Sequence, residues 1–181
     1  MSETSDLSNR ETSYPSSQQF SSAIARWETY RRRRHKTFDD RTDTFAREAQ
    51  LLLEQCQECV LWIVELEDEQ LRVTTPGTPV AERWRRIEIL TVAFYYFAHR
   101  YLDILKDIFG ISLNVKDIRL VRNKMLEHPD EKGGVMALNF GYDLPNGPVI
   151  KPFGAGERPS ESGLYLHAKR LIIETLAKVP E

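Results

Sequence analysis

Arg122 and His128 are the two residues whose types and spacing could do chemistry. They stand in the stretch Asn114-Val-Lys-Asp-Ile-Arg-Leu-Val-Arg-Asn-Lys-Met-Leu-Glu-His128-Pro129. A guanidinium stays protonated and offers a planar fork that matches phosphate oxygens. An imidazole, with an unperturbed pKa of about 6.5, accepts or donates a proton near neutral pH. Cleavage of an RNA strand by its own 2′-hydroxyl needs both functions. One group takes the 2′ proton or supplies one to the departing 5′-oxygen, and another stabilises the charge that builds on the phosphorane. In that scheme Arg122 and His128 are catalytic, Asn123 orients the phosphate or the imidazole, and Lys124 and Glu127 flank the substrate. The set calls for no metal and no cofactor. The competing reading is structural: Arg122 pairs with a carboxylate such as Glu54 or Glu88, and His128 binds the last carbonyls of its helix.

The element that must position these residues reads as a helix. At about 100° per residue, Val115, Ile118, Val121, Met125 and Leu126 gather into one apolar sector, and Arg122 falls in its middle. A guanidinium is costly to bury alone, so its place there asks for a carboxylate, a partner chain or an anionic ligand. Asn114 is expected as N-cap with Asp117 in the first turn, and Pro129 disfavours helical geometry at His128. Six residues place Arg122 and His128 about 120° apart on a straight helix. A break at His128, or a two-fold dimer that faces both pairs into one groove, is needed to bring them together.

Around this helix the sequence predicts an all-α protein, an antiparallel four-helix bundle with long helices. From about residue 42 to 72, Phe45, Ala49, Leu52, Cys56, Cys59, Ile63 and Leu66 recur at alternating steps of four and three, the spacing of a bundle seam. Cys56 and Cys59 occupy seam positions, and the chain's 181 residues contain no other cysteine, so they read as core thiols and not as a zinc or redox site. After the Thr74–Pro79 turn a second long helix runs to Phe109 through Val80, Trp84, Ile87, Thr91, Phe94, Ala98, Tyr101, Leu105 and Ile108, and Gly110 ends it. The aromatics Phe94, Tyr95, Tyr96, Phe97 and Tyr101 supply core and a second apolar face suited to a homodimer. A final helix is expected from Ser160 to about Val179, with Leu164, Ala168, Leu171, Ile172 and Leu176 on one face. Residues 129–160 form an insert rich in Gly and Pro, with a small β-hairpin around Pro145-Asn146-Gly147.

Residues 1–22, with ten Ser or Thr, are expected as a disordered tail. Residues 23–41 are expected as a short helix and basic linker containing Arg31-Arg-Arg-Arg-His-Lys36, either an electrostatic footprint for RNA or a solvated helix face. The helical domain proper is expected over 42–179. A net charge of −2 excludes a broadly basic nucleic-acid binder. Neither a signal peptide nor a run of about 18 apolar residues is present, so a cytoplasmic protein with no membrane contact is expected.

Arg122-Asn123-Lys124-Met125-Leu126-Glu127-His128 resembles the Arg-x(4–6)-His signature of the HEPN superfamily, including the polar residue after the Arg. The resemblance covers the motif and the helical frame from about 42 to 179. It implies a dimeric helical bundle with metal-independent endoribonuclease activity, leaving 2′,3′-cyclic phosphate ends, in a toxin or defence effector restrained by an antitoxin or nucleotidyltransferase partner. Because many members lack activity, it also leaves open a non-catalytic dimerisation, nucleotide-binding or partner-binding module.

Overall fold

The first helix begins where a side chain meets the orphan backbone donors of its opening turn. Ser16 Oγ accepts from the Gln19 N–H, and Gln19 Oε1 accepts from the Ser16 N–H, a reciprocal capping box. The computed structural model describes residues 15–72, 80–126, 138–143, 146–152 and 163–181. Within them the order is α1 (Ser17–Arg34), α2 (Asp40–Arg72), α3 (Val80–Phe109), α4 (Lys116–Leu126), a hairpin of β1 (Leu138–Asp143) and β2 (Gly147–Pro152), and α5 (Leu164–Lys178). This is an all-α bundle with a small antiparallel hairpin before the last helix.

The two long helices form the central pair. Glu48 accepts from Arg100 Nε, and the Cys56 thiol lies against the Phe94 carbonyl, so the start of α2 faces the end of α3 and the pair is antiparallel. Most of the expected seam positions are buried; Phe45, Trp84 and Ile108 are half-buried, and the Val80 side chain lies outside the described residues. Ala49, Leu52, Cys56, Cys59, Ile63 and Leu66 of α2 are buried against Ile87, Phe94, Ala98, Tyr101 and Leu105 of α3. Thr91 sits in this seam without an orphan hydroxyl, because its Oγ1 donates to the Ile87 carbonyl. Both cysteines are free thiols in the core, and burial raises their pKa values, that of Cys59 to about 12. At the end of α3, Gly110 takes φ +66° while the Ile111 N–H bonds the Leu105 carbonyl and the Gly110 N–H bonds that of Lys106. With Gly110 in the left-handed region, its bond to the Lys106 carbonyl is the 5→1 bond of an αL stop.

Two expectations about the N-terminal region need correction. Residues 17–22 belong to α1 and not to a tail; the remainder of that tail, 1–14, lies outside the described residues. Nor does the helix begin at residue 23 as a short one. It spans 18 residues and buries Phe20, Ala23, Trp27 and Tyr30 in the common core, as a fifth helix beside the four principal ones. The physical reason is the stripe itself: Phe20 extends the spacing of Ala23, Trp27 and Tyr30 by one turn, enough apolar surface to offset ordering. Trp27 is fully enclosed, donates its indole N–H to the Tyr101 hydroxyl, and meets Tyr30, Tyr101 and Phe109 edge to face.

The hairpin pairs Leu138 with Pro152 through to Asp143 with Gly147. Its turn docks on the start of α5, where the Tyr165 N–H bonds the Asn146 carbonyl. Gly147 has φ +81°, and a Cβ there would stand 2.6 Å from the Tyr165 ring, so both backbone and contact require glycine. The helix α5 starts at Leu164 and buries Leu164, Ala168, Leu171 and Ile172; Ser160 lies outside the described residues.

Candidate functional site

The helix α4 is the shortest in the bundle, 11 residues, and it packs on α3 and β2. It opens at Lys116, two residues beyond Asn114, whose own N–H donates to Glu174 Oε2 of α5. Val115, Ile118 and Val121 are buried, as the apolar sector requires. Arg122, between Val115 and Ile118 in angle, is half-buried on that same face. Its Nε is enclosed and makes no hydrogen bond, while the side chain as a whole is engaged. One turn earlier Arg119 reaches back over α3 and donates to the Leu102 carbonyl. The two arginines of α4 thus differ: Arg119 ties the helix down, and Arg122 occupies a position that packing alone would give to an aliphatic side chain.

The rest of the predicted constellation is only partly visible. Asn123 and Lys124 continue the helix, with their side chains outside the described residues, and Glu127 and His128 lie outside them altogether. Glu54 accepts from Gln50 on its own helix, and Glu88 is solvent-exposed on α3.

Sequence reasoning missed two polar clusters. The Tyr95 hydroxyl and His167 Nδ1 share a 2.7 Å hydrogen bond with both residues buried, so His167 is a core group and lines no groove. Burial holds the Tyr95 phenol well above the ordinary tyrosine value, and the charge of Asp117, in the first turn of α4, adds to the effect. The second cluster is at the far end of α2. Tyr142 from β1 and Tyr165 from α5 both donate their hydroxyls to Glu67, clamping the hairpin and the last helix onto α2. Trp84 packs edge-on against Phe140 and Tyr142 at the same end. No sequence periodicity announces either cluster, because each joins residues more than seventy positions apart. His99 of α3 pairs with Asp103 at 3.0 Å, one turn along.

Large apolar side chains are exposed on both α2 and α3. Leu51 and Trp62, three turns apart on α2, are 51% and 55% exposed; Ile89 and Tyr96, two turns apart on α3, are 59% and 52% exposed. Phe97 and Ala93 of α3 are half-buried. The Glu48–Arg100 ion pair joins the same two helices. Ile89 and Tyr96 lie about 100–140° around α3 from Tyr95 and Leu102, the positions that meet α5 and α4.

No family model, no curated protein and no solved structure matches this chain. Among the described residues no helix is long and apolar enough to cross a membrane.

Proposed function

We propose that this protein is a HEPN-type, metal-independent endoribonuclease that works as a homodimer in the cytoplasm, with the chemistry of a toxin or defence effector held in check by an antitoxin or nucleotidyltransferase partner. The observation that carries the reading is Arg122: a half-buried guanidinium on a helix face otherwise made of the buried Val115, Ile118 and Val121, six residues before His128. The all-α frame fits the same reading. In the reaction, the 2′-oxygen attacks phosphorus and the bond to the 5′-oxygen breaks, giving a 2′,3′-cyclic phosphate and a 5′-hydroxyl. His128 moves the proton, Arg122 balances the charge gathering on the non-bridging oxygens, and Asn123, Lys124 and Glu127 contact the strand.

The exposed Leu51, Trp62, Ile89 and Tyr96 support the dimer, since large apolar side chains left exposed on one helix pair suit an interface. They also support the second reading, a dimerisation module without catalysis. Purified protein incubated with RNA in EDTA separates the two. The ribonuclease leaves 2′,3′-cyclic ends, and His128→Ala lowers the rate by about 10²–10⁴-fold, the usual contribution of a positioned acid–base group. RNA that stays intact at high protein concentration sinks the enzymatic reading and leaves the module.

A further inference from the structure

The corner between α1 and α2 collects positive charge, part of it paired: Arg31 and Arg47 with Asp43, Arg32 with Glu28, and Arg33 with the Glu181 carbonyl. From Arg31 to Arg47 the chain carries seven Arg or Lys against three Asp, a local charge of +4 in a protein whose total is −2. Folding concentrates it further. Arg31, Arg32 and His35 from the last turn of α1 and its cap, Phe38 from the connection, and Arg47 from α2 line an open cleft of about 470 Å³ around Asp43.

The carboxylate at its centre acts as a jig. Asp43 Oδ1 accepts from Arg31 Nε at 3.0 Å, and Oδ2 accepts from Arg47 Nε at 2.9 Å. The two guanidinium groups hold its carboxyl below the ordinary aspartate value, the Arg47 hydrogen bond contributing most, so the anchor stays ionised at neutral pH. Arg31 is held by its Nε alone, and neither of its Nη atoms makes a hydrogen bond among the described residues, whereas Arg47 engages Asp43 through Nε and Nη2 and keeps Nη1 available. Fixing a fork in advance lowers the entropy lost when it closes on an anion. Asp40 also lines the cleft and opposes an anion, while Arg34, Lys36 and Arg41 add positive charge to the same stretch of chain. Phe38 is half-buried and locked against Tyr30 and Phe109, a rigid apolar wall beside the charges. Guanidinium forks next to an aromatic face fit a phosphate group carrying a sugar and a base.

We propose that this cleft is a phosphate-binding subsite that holds the backbone of an RNA strand, distinct from the Arg122 helix; the choice of RNA rests on the function proposed above. The ligand chemistry is the phosphate group, and its source is either a strand or a free anion. The test uses a labelled 2′-O-methyl oligoribonucleotide, which lacks the reactive hydroxyl, so binding is read apart from cleavage. Arg31→Gln/Arg32→Gln is compared with Arg85→Gln/Arg86→Gln, an equal charge change on exposed residues of α3. The subsite predicts a Kd about tenfold weaker for the first pair and a salt slope shallower by about 1.4, two contacts at roughly 0.7 each, with less than twofold change for the control. Equal losses in both pairs, or none in either, overturn it. Inorganic phosphate is the second arm, followed by the Arg31 and Arg47 Nε–H resonances. If phosphate shifts them while oligonucleotide affinity is the same in both pairs, the cleft serves a free anion and the RNA assignment falls. If the oligonucleotide binds through the cleft while unmodified RNA stays intact, the subsite stands and the ribonuclease reading falls.

Discussion

The α2–α3 pair and the helix α4 use the same kind of apolar face to different ends. Along the pair every inward position is filled by an aliphatic, an aromatic, a buried thiol or a self-satisfied threonine, so packing accounts for each residue. On α4 the face is interrupted at its middle by Arg122. An aliphatic residue would bury there at no electrostatic cost, and replacing a buried charge by a well-packed apolar group is often neutral or stabilising. Local rules break most readily at functional or strained sites, which makes Arg122 the residue to test.

The contrast fails at once if the seam proves dispensable. Ile63→Ala, at a fully buried position, should cost about 2–5 kcal/mol of unfolding free energy by denaturant titration; a loss under 1 kcal/mol would mean the pair is not the structural centre. Alkaline pH probes the same core through its titrating groups. Cys56, Cys59, Tyr95 and Tyr101 all have pKa values raised by burial, whereas in the unfolded chain they ionise near the ordinary 9.0 of cysteine and 10.0 of tyrosine. Above those values the unfolded chain binds fewer protons than the native one, so stability is full below about pH 9 and falls as pH climbs toward the native values. Thermal scans from pH 7 to 11 should show a level midpoint and then a decline; a midpoint rising above pH 9 contradicts the burial of these groups. The smallest effect is expected on the outer face. Trp62→Ser should shift sedimentation toward the monomer while changing monomer stability by no more than about 0.5 kcal/mol, as exposed substitutions do. An unchanged oligomeric state would remove Trp62 from any interface.

Much of the fold is legible in the sequence because α2, α3 and α5 are long and strongly periodic. Seven of the seam residues of α2 can be named from spacing alone, and the Asn146-Gly147 turn from its dipeptide. The start of α1 was legible too, in Ser16 and Gln19, yet the serine-rich composition around it argues for a tail. Phe20 decides the matter only when Trp27 and Tyr30 are seen buried beside it, a tertiary fact. Of the site, Arg122 could be picked out because a charge interrupts a period. Glu67, Tyr142 and Tyr165 could not, since nothing local marks three polar residues from α2, β1 and α5 as neighbours. The Arg31–Arg47 corner lies between these cases: the charge run is visible in the chain, but the jig formed by Asp43 exists only once α1 has folded back on α2.

The claim that Arg122 is present for function and not for packing is tested most directly by Arg122→Met, with RNA cleavage and thermal midpoint measured on one preparation. The account predicts cleavage reduced by about 10²-fold or more, the scale of losing a preorganised donor to the developing charge, with a midpoint within about 4 °C of the parent, equivalent to roughly 1 kcal/mol. Cleavage per folded molecule that survives intact, beside a midpoint that falls by about 8 °C or more, would make Arg122 a structural residue and contradict it.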